Sequence, residues 1–505
     1  MRGVCATVRV LQRPSPHGLC CVHTPHPTAF GAHLLPQGEK GKGVDRRGAA
    51  LKRGRMKIAS RVLVLAAVLA LPTTAFAQTA EPSANNRALA AGYKALTVCS
   101  ALHSARAAGS ERTVASVEAN ELVGVYPELQ SLVGSMKVEM AGNVVTVAWD
   151  QAAPPRVATW TDGRGCVIEP MGYVSGAAPE RAPLARRASA PDLPTARPKG
   201  NARSLEAAVA RAFDQGFGAG TNTTGVVVMQ GGKRVAERYA ADFDPNTPQR
   251  TWSVAKSLAG TVIGAAVQRG ELDVKAPAAI ANWSRPGDPR AAITVDALMR
   301  MSSGLTSDTA GNRTDNLYFG GTTVDEQSPG WPLLAPVGTV YRYANNDTLL
   351  ATMAAAPTFT AHPPAELFDT LGMTHTWAET DWRGNYILSS QVWTTARDLA
   401  RFGQLYLQDG VWEGQRLLPE GWRDYVTAPA GPQPPTGDFG YGATFWLMNR
   451  SDGVPADTFA AFGNRGQYVV IVPSRQVVIV RRGEDPAGKP FDVAAFARSV
   501  LESLD

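Results

Sequence analysis

Two valine-rich hairpins near opposite ends of one long stretch constrain this chain more than any other feature. The first runs Gly225-Val226-Val227-Val228-Met229, turns at Gly231-Gly232 and returns from Lys233 to Tyr239. The second runs from Tyr468 to Val472, turns at Pro473-Ser474-Arg475 and returns from Val477 to Val480. Runs rich in β-branched residues and bounded by Gly or Pro read as strands, and turns this short make each pair antiparallel. Apolar residues keep helical spacing over Leu205–Phe213, before the first hairpin, and over Phe491–Leu504, after the second. The pattern predicts an α+β fold: an antiparallel sheet built from both ends of residues 204–505, covered by helices, with the middle forming an inserted helical lobe.

The 505 residues allow two or three domains. Residues 176–203 are rich in Ala, Pro and Arg without periodicity, as in a linker or a surface-hugging connection, and place the domain boundary there. Ahead of them, residues 78–175 read as a small α+β module. Helical spacing covers Arg87–Ala108 and then Glu111–Leu132, followed by strands Val144–Trp149 and Arg156–Thr161 and a turn at Asp162-Gly163 just before Cys166.

Residues 56–77 have the composition of a signal peptide: Lys57 and Arg61, an apolar run from Val62 to Leu71, then Ala75-Phe76-Ala77. So short an apolar run does not span a bilayer core of about 30 Å, so no stable membrane span is expected, and the protein is expected to be exported, periplasmic or extracellular. The 55 residues before Met56 lack periodicity and are read as a prelude created by a misassigned start codon; a genuine extension is the rival reading. They hold ten Lys or Arg and two acids, so without them, Lys57 and Arg61 the overall charge of +6 becomes about −4, and the basic balance gives no reason to expect nucleic acid. Three of the five cysteines lie there too. Export would bring the remaining Cys99 and Cys166 into an oxidising compartment where a disulfide is expected, with two buried thiols as the alternative.

Ser253 opens a helix whose stripe of Ala255, Leu258, Ala259, Val262, Ile263 and Ala266 ends at Gly270. Lys256 lies one turn on, on the same face, where burial can lower its pKa enough to accept the serine proton. Of the eleven lysines only Lys256 has a serine three residues before it, and one such match arises by chance in a chain this long. A Ser-His-Asp site has little to build on, since only His103, His362 and His375 follow residue 77 and no Gly-x-Ser-x-Gly occurs. No His-Glu-x-x-His or paired Cys-x-x-Cys spacing points to a metal, and no cofactor is expected. Tyr343-Ala344-Asn345 offers a phenol that can pass protons and an amide that can orient a substrate; alone it reads equally as an aromatic turn. Gly463-Asn464-Arg465-Gly466-Gln467 leads into the last hairpin, where the Gln467 N–H could join that of Ser253 as an oxyanion donor; alone it is a turn.

With these three pieces in this order, residues 204–505 resemble the serine β-lactamase and penicillin-binding superfamily, which implies a β-lactamase/transpeptidase-like fold. Met301-Ser302-Ser303-Gly304-Leu305, Leu367 to Met373, Thr395 to Gly403 and Leu418 to Trp422 look like landmarks of its class C-like branch. Ser389-Ser390, Tyr441 to Trp446 and Gly466-Gln467-Tyr468 are most similar to 6-aminohexanoate-dimer hydrolase-like enzymes. The resemblance implies Ser253 as the acylated nucleophile, Lys256 and Tyr343 sharing acid and base work, Asn345 orienting substrate, and the Ser253 and Gln467 amides as oxyanion donors. Asn464-Arg465-Gly466 stands where relatives often carry Lys-Thr-Gly or His-x-Gly, which leaves Asn464 as a neutral substrate-binding position and Arg465 as a replacement charge of unknown direction. The run between Leu350 and Leu367 is short and interrupted by proline, where relatives have a helix, a Gly turn and another helix.

The expected function is therefore hydrolysis of a small-molecule amide or ester through an acyl-Ser253 intermediate, β-lactams included among possible substrates. The alternative from another class is a non-catalytic exported protein that binds peptidoglycan fragments or a related ligand.

Overall fold

A computed structural model of the chain describes residues 82–174, 181–306 and 314–505; the prelude 1–55 and the signal segment 56–77 lie outside the described residues. Helix α1 (Ala84–Ala107) starts at Ser83, whose hydroxyl accepts the Asn86 N–H as an N-cap. The second predicted helix, over 111–132, is instead two: α2 (Val114–Ala119) and α3 (Pro127–Val133). Gly124 takes a left-handed φ of 65° between them, and Pro127 can open a helix but not continue one.

Strands β1 (Val138–Ala141), β2 (Val144–Val147), β3 (Arg156–Thr161) and β4 (Gly165–Ile168) form an antiparallel meander. The Asp162-Gly163 turn returns the chain along β3, so Cys166 lies inside β4 opposite Trp160 rather than beyond the sheet. Cys166 is disulfide-bonded to Cys99 on α1.

This N-terminal region does not bury its apolar surface alone. From Ala88 to Ala105 nearly every α1 residue is buried, because the meander covers one side and the following 300 residues cover the other. Tyr93 meets Phe319 edge-on at 4.6 Å, and Trp160 meets Trp377 at 5.9 Å. One apolar cluster thus joins Leu89, Val98 and Trp160 to Trp252, Trp377 and Trp393. The aperiodic stretch hugs the surface: Arg181 pairs with Glu169, Arg186 with Asp369, and Thr195 bridges to Arg234.

The remaining chain begins with α4 (Ala202–Phe213), followed by β5 (Thr223–Gln230) and β6 (Lys233–Tyr239), the first predicted hairpin. The second hairpin forms from Gln467–Val472 and Val477–Gly483. They join edge to edge, with Val477–Gly483 pairing β5, in a seven-stranded antiparallel sheet that continues through Phe459–Gly463, Trp446–Leu447 and Gly440–Tyr441. Side chains alternate across it. Val226 and Val228 face Leu205 of α4 and Phe496 of the last helix (Val493–Ser503), while Val227 and Met229 face the opposite core. Burial on both faces explains why these strands read as continuous valine runs.

The opposite core holds Leu258 of α5 (Val254–Gln268) and Leu399 of the helix Ala396–Leu407. Strand β7 (Gln249–Arg250), which leads into α5, pairs with Val392–Thr394 in a separate three-stranded sheet. The proline-interrupted segment still makes two helices, Asn345–Ala355 and Pro364–Thr370, joined by a single 3₁₀ turn over Ala356–Thr360.

Candidate active site

Ser253 is the N-cap of α5, with an αR backbone (φ −70°, ψ −4°) and no side-chain cap bond. Three successive backbone bonds, from Val254, Ala255 and Lys256 to the carbonyls of Thr251, Trp252 and Ser253, tighten this first turn. The hydroxyl is thereby left for Lys256, three residues on and on the same face.

Lys256 is 1% exposed, and its Nζ has three oxygen partners: Ser253 Oγ at 3.0 Å, Asn345 Oδ1 at 2.6 Å and the Ser389 carbonyl at 2.9 Å. None is a carboxylate. Burial, reinforced by the nearby Arg250 guanidinium, lowers its pKa from 10.5 to about 7. Two of the three partners are carbonyl-type oxygens that can only accept. A neutral amine therefore gives its two N–H groups to Asn345 and Ser389 and turns its lone pair toward Ser253 Oγ, the arrangement a general base needs.

The Tyr343 ring lies 5.1 Å from Lys256 Nζ. Burial raises its pKa, opposed by a hydrogen bond with the Ser253 side chain, so the phenol stays protonated beside Ser253. Tyr441 at 5.9 Å and Trp446 at 5.4 Å form the aromatic wall that holds it. The Tyr343–Asp347 run is fixed from beneath: Ser303 Oγ donates to Asp347 Oδ1 at 2.9 Å, and the Ala344 N–H meets Met301 sulfur at 3.5 Å. The Met301–Leu305 landmark thus positions the tyrosine.

The Gly463–Gln467 turn closes the other side. Gly463 pairs with Gln467 across the ladder. A Cβ on Gly463 would lie 3.2 Å from the Ser253 nitrogen and 3.0 Å from Gln467 Cβ, so this glycine brings the candidate oxyanion strand against Ser253. Gly466 has φ 78°, and a Cβ there would overlap the Arg481 guanidinium and the Asp485 carboxylate. Arg481 and Asp485 form a buried pair at 2.7 Å that fixes the turn.

All seven residues singled out from the sequence lie on the segments that surround Ser253, with differences in what each side chain does. Asn345 is buried; its Oδ1 accepts from Lys256 and its Nδ2 reaches Thr314 at 3.3 Å. Asn464 is exposed, with its Oδ1 accepting the Arg465 N–H. Arg465 turns away from the serine: its Nε pairs with Glu484 at 2.6 Å and its Nη2 donates to the Asn120 carbonyl at 2.8 Å. The Gln467 side chain is likewise occupied, accepting from Arg482 Nε at 2.6 Å.

Sequence reading missed two participants. The Ser389 carbonyl bonds Lys256, and the Tyr318 hydroxyl meets Ser389 Oγ at 2.6 Å. A backbone carbonyl has no residue signature, although Ser389-Ser390 stood among the landmarks.

The sequence profile of the β-lactamase family matches residues 208–494. The chain is 26% identical over 309 residues, 53% of its length and 74% of the relative's, to the 6-aminohexanoate-dimer hydrolase of Paenarthrobacter ureafaciens. Among solved structures, a candidate 6-aminohexanoate-dimer hydrolase from Bacillus anthracis aligns with a TM-score of 0.49 at 21% identity, over 59% of this chain and 81% of that one. A class C β-lactamase aligns at 0.45 and 16% identity, over 60% and 96%. The α+β fold expected from the hairpins is the fold found, and the family profile together with the Paenarthrobacter ureafaciens relative supports serine hydrolase activity in general. With more than half of its length matched by the profile, the chain belongs to the β-lactamase family.

Proposed function

We propose that this chain hydrolyses a small amide or ester through an acyl-Ser253 intermediate. The observation that carries the proposal is the environment of Lys256: fully enclosed, without a carboxylate, and in contact with Ser253 Oγ at 3.0 Å. In the first step Lys256 Nζ takes the hydroxyl proton while Ser253 Oγ bonds to the substrate carbonyl carbon. The developing oxyanion is received by the N–H groups of Ser253 and Gln467, at the N-terminus of α5. The proton then passes by way of Lys256 and the Tyr343 hydroxyl to the leaving nitrogen or oxygen as its bond to carbon breaks. Water attacks the acyl-enzyme by the same route in reverse roles and returns Ser253.

Asn345 contributes by holding Lys256 through its Oδ1. Exposed, neutral Asn464 and the inward-turned, paired Arg465 favour a substrate without a carboxylate at that end of the site. The relative from Paenarthrobacter ureafaciens supports an amide of the 6-aminohexanoate-oligomer type as the first candidate, with simple esters and β-lactams tested beside it. Export to the periplasm or medium belongs to the same proposal and rests on the composition of residues 56–77.

A fluorophosphonate probe is expected to label Ser253, and Ser253→Ala to lose both labelling and p-nitrophenyl ester turnover, by about 10⁴-fold or more in kcat. Hydrolysis unchanged in folded Ser253→Ala overturns the proposal. A ligand-induced melting shift with no turnover of any ester or amide favours the binding protein instead.

A further inference from the structure

Two non-glycine residues beside the candidate oxyanion hole have left-handed backbones. Trp252, directly before Ser253, has φ 49°, and Arg465, two residues before Gln467, has φ 57°. Such conformations are disfavoured for residues with a Cβ and persist where surroundings hold them. Here the same short segment of the N-terminal region, residues 120–126, meets both.

On the nucleophile side, the Tyr126 ring meets the Trp252 ring edge-on at 6.3 Å, and the Arg250 guanidinium lies 3.8 Å over the Trp252 ring. On the strand side, the Asn120 carbonyl accepts from Arg465 Nη2 at 2.8 Å. The Gly124 carbonyl accepts from the Ala487 N–H at 2.9 Å, and a Cβ on Gly124 would lie within 2.6 Å of Pro486, so the segment is pressed against the chain that follows Glu484. Glu484 links the two sides, accepting from Arg465 Nε at 2.6 Å and from Gln249 Nε2 at 3.3 Å in the strand leading to Ser253. The buried Arg112–Glu121 pair, at 2.8 Å, anchors the segment itself.

We propose that residues 120–126 are a positioning element for the oxyanion hole, with Tyr126 its principal side chain: they hold Trp252 and Arg465 in their left-handed conformations, so that the Ser253 and Gln467 amides converge. The inference rests on those two amides being the oxyanion donors. It gives the N-terminal region a part in the reaction that needs no contact with substrate. Misplacing such donors by about an ångström costs on the order of 10²-fold in rate.

The test compares Tyr126→Ala and Tyr126→Phe with the wild type in the full chain, well below the melting temperature of each, using p-nitrophenyl butyrate. Tyr126→Ala is expected to lower kcat by about 10- to 100-fold with little change in KM, and to weaken inhibition by phenylboronic acid, whose tetrahedral adduct places an oxygen in the hole, by a similar factor. Tyr126→Phe keeps the ring and is expected to restore both. If Tyr126→Ala does not fold, Tyr126→Leu, which fills the space without an aromatic edge, takes its place with the same expectation. Wild-type kcat and boronate affinity in the folded variant overturn the positioning role, as does a lowered melting temperature with both values intact. Ser253→Ala separates the two layers: if it retains activity the acyl-serine reading fails, whereas an inactive Ser253→Ala beside a fully active Tyr126→Ala overturns only the positioning element.

Discussion

Lys94 and Lys256 are buried equally deeply, at 0% and 1% exposure, and have opposite surroundings. Lys94, on α1, donates to the carbonyls of Val133 and Met136 and pairs with Glu118 at 2.6 Å. Its charge is neutralised, and the lysine ties α1 to α2 and α3. Lys256 has a hydroxyl, an amide oxygen and a carbonyl around it, with Arg250 nearby and no acid. Burial therefore acts on the proton rather than on an ion pair. The comparison teaches that depth alone does not set what a buried lysine can do; whether a carboxylate stands among its contacts does.

Replacing each lysine by methionine sharpens the contrast. Lys256→Met is expected to reduce kcat on p-nitrophenyl esters by at least about 10³-fold, because Tyr343, which also bonds the Ser253 side chain, stays a protonated phenol and cannot take the serine proton in its place. Lys94→Met is expected to leave kcat near the wild-type value. Equal losses in the two variants would break the comparison.

The next largest effect is on stability against pH. The folded pKa of Lys256, about 7, lies below its unfolded value of 10.5. Between these the unfolded chain binds a proton that the folded chain lacks, so this group's contribution to stability rises with pH through the window; its cost is fully present below about pH 7. Denaturation of wild type and Lys256→Met at pH 7 and pH 9 is expected to show the wild type gaining on the variant by on the order of 2–3 kcal/mol. No change in their difference would mean that Lys256 titrates normally. For kcat/KM the same protonation predicts a rise with pH that levels off above about 7.

Opening the Cys99–Cys166 disulfide, which spans 67 residues, is expected to cost about 2–4 kcal/mol in the double alanine variant, read by urea denaturation. The smallest effect belongs to Lys94→Met: about 1–3 kcal/mol, from two carbonyls left without a donor and Glu118 without its cation. Glu118 is 44% exposed at its side chain, which limits the penalty from the lost ion pair.

Much of the fold was legible because it depends on local periodicity. The hairpins at 223–239 and 467–483 lie where β-branched runs and turn residues put them, and α1 begins within three residues of its expected start. The second predicted helix failed because helical spacing was followed across Gly124 and Pro127, whose backbone preferences break it. The short strands β1 and β4 had too few residues to carry an alternating signal. At the site, Arg465 showed the limit most clearly: its charge could be read from the sequence but its direction could not, and Glu484 and the Asn120 carbonyl turn it inward.

By itself the sequence determined that Ser253 and Lys256 share one face of a helix, since a three-residue spacing brings side chains together in any helix. It also determined the antiparallel hairpins, since β-branched runs joined by short turns need no distant partner. Only the tertiary structure decided the surroundings that suit the lysine to accept a proton. Asn345 and Ser389, 89 and 133 residues away, supply its acceptors, and desolvation by the surrounding core lowers its pKa. The union of the N-terminal region with the rest was likewise a tertiary matter. A helix buried on nearly all sides must be covered by something, but only three-dimensional packing chose Trp252, Trp377 and Trp393 as the cover.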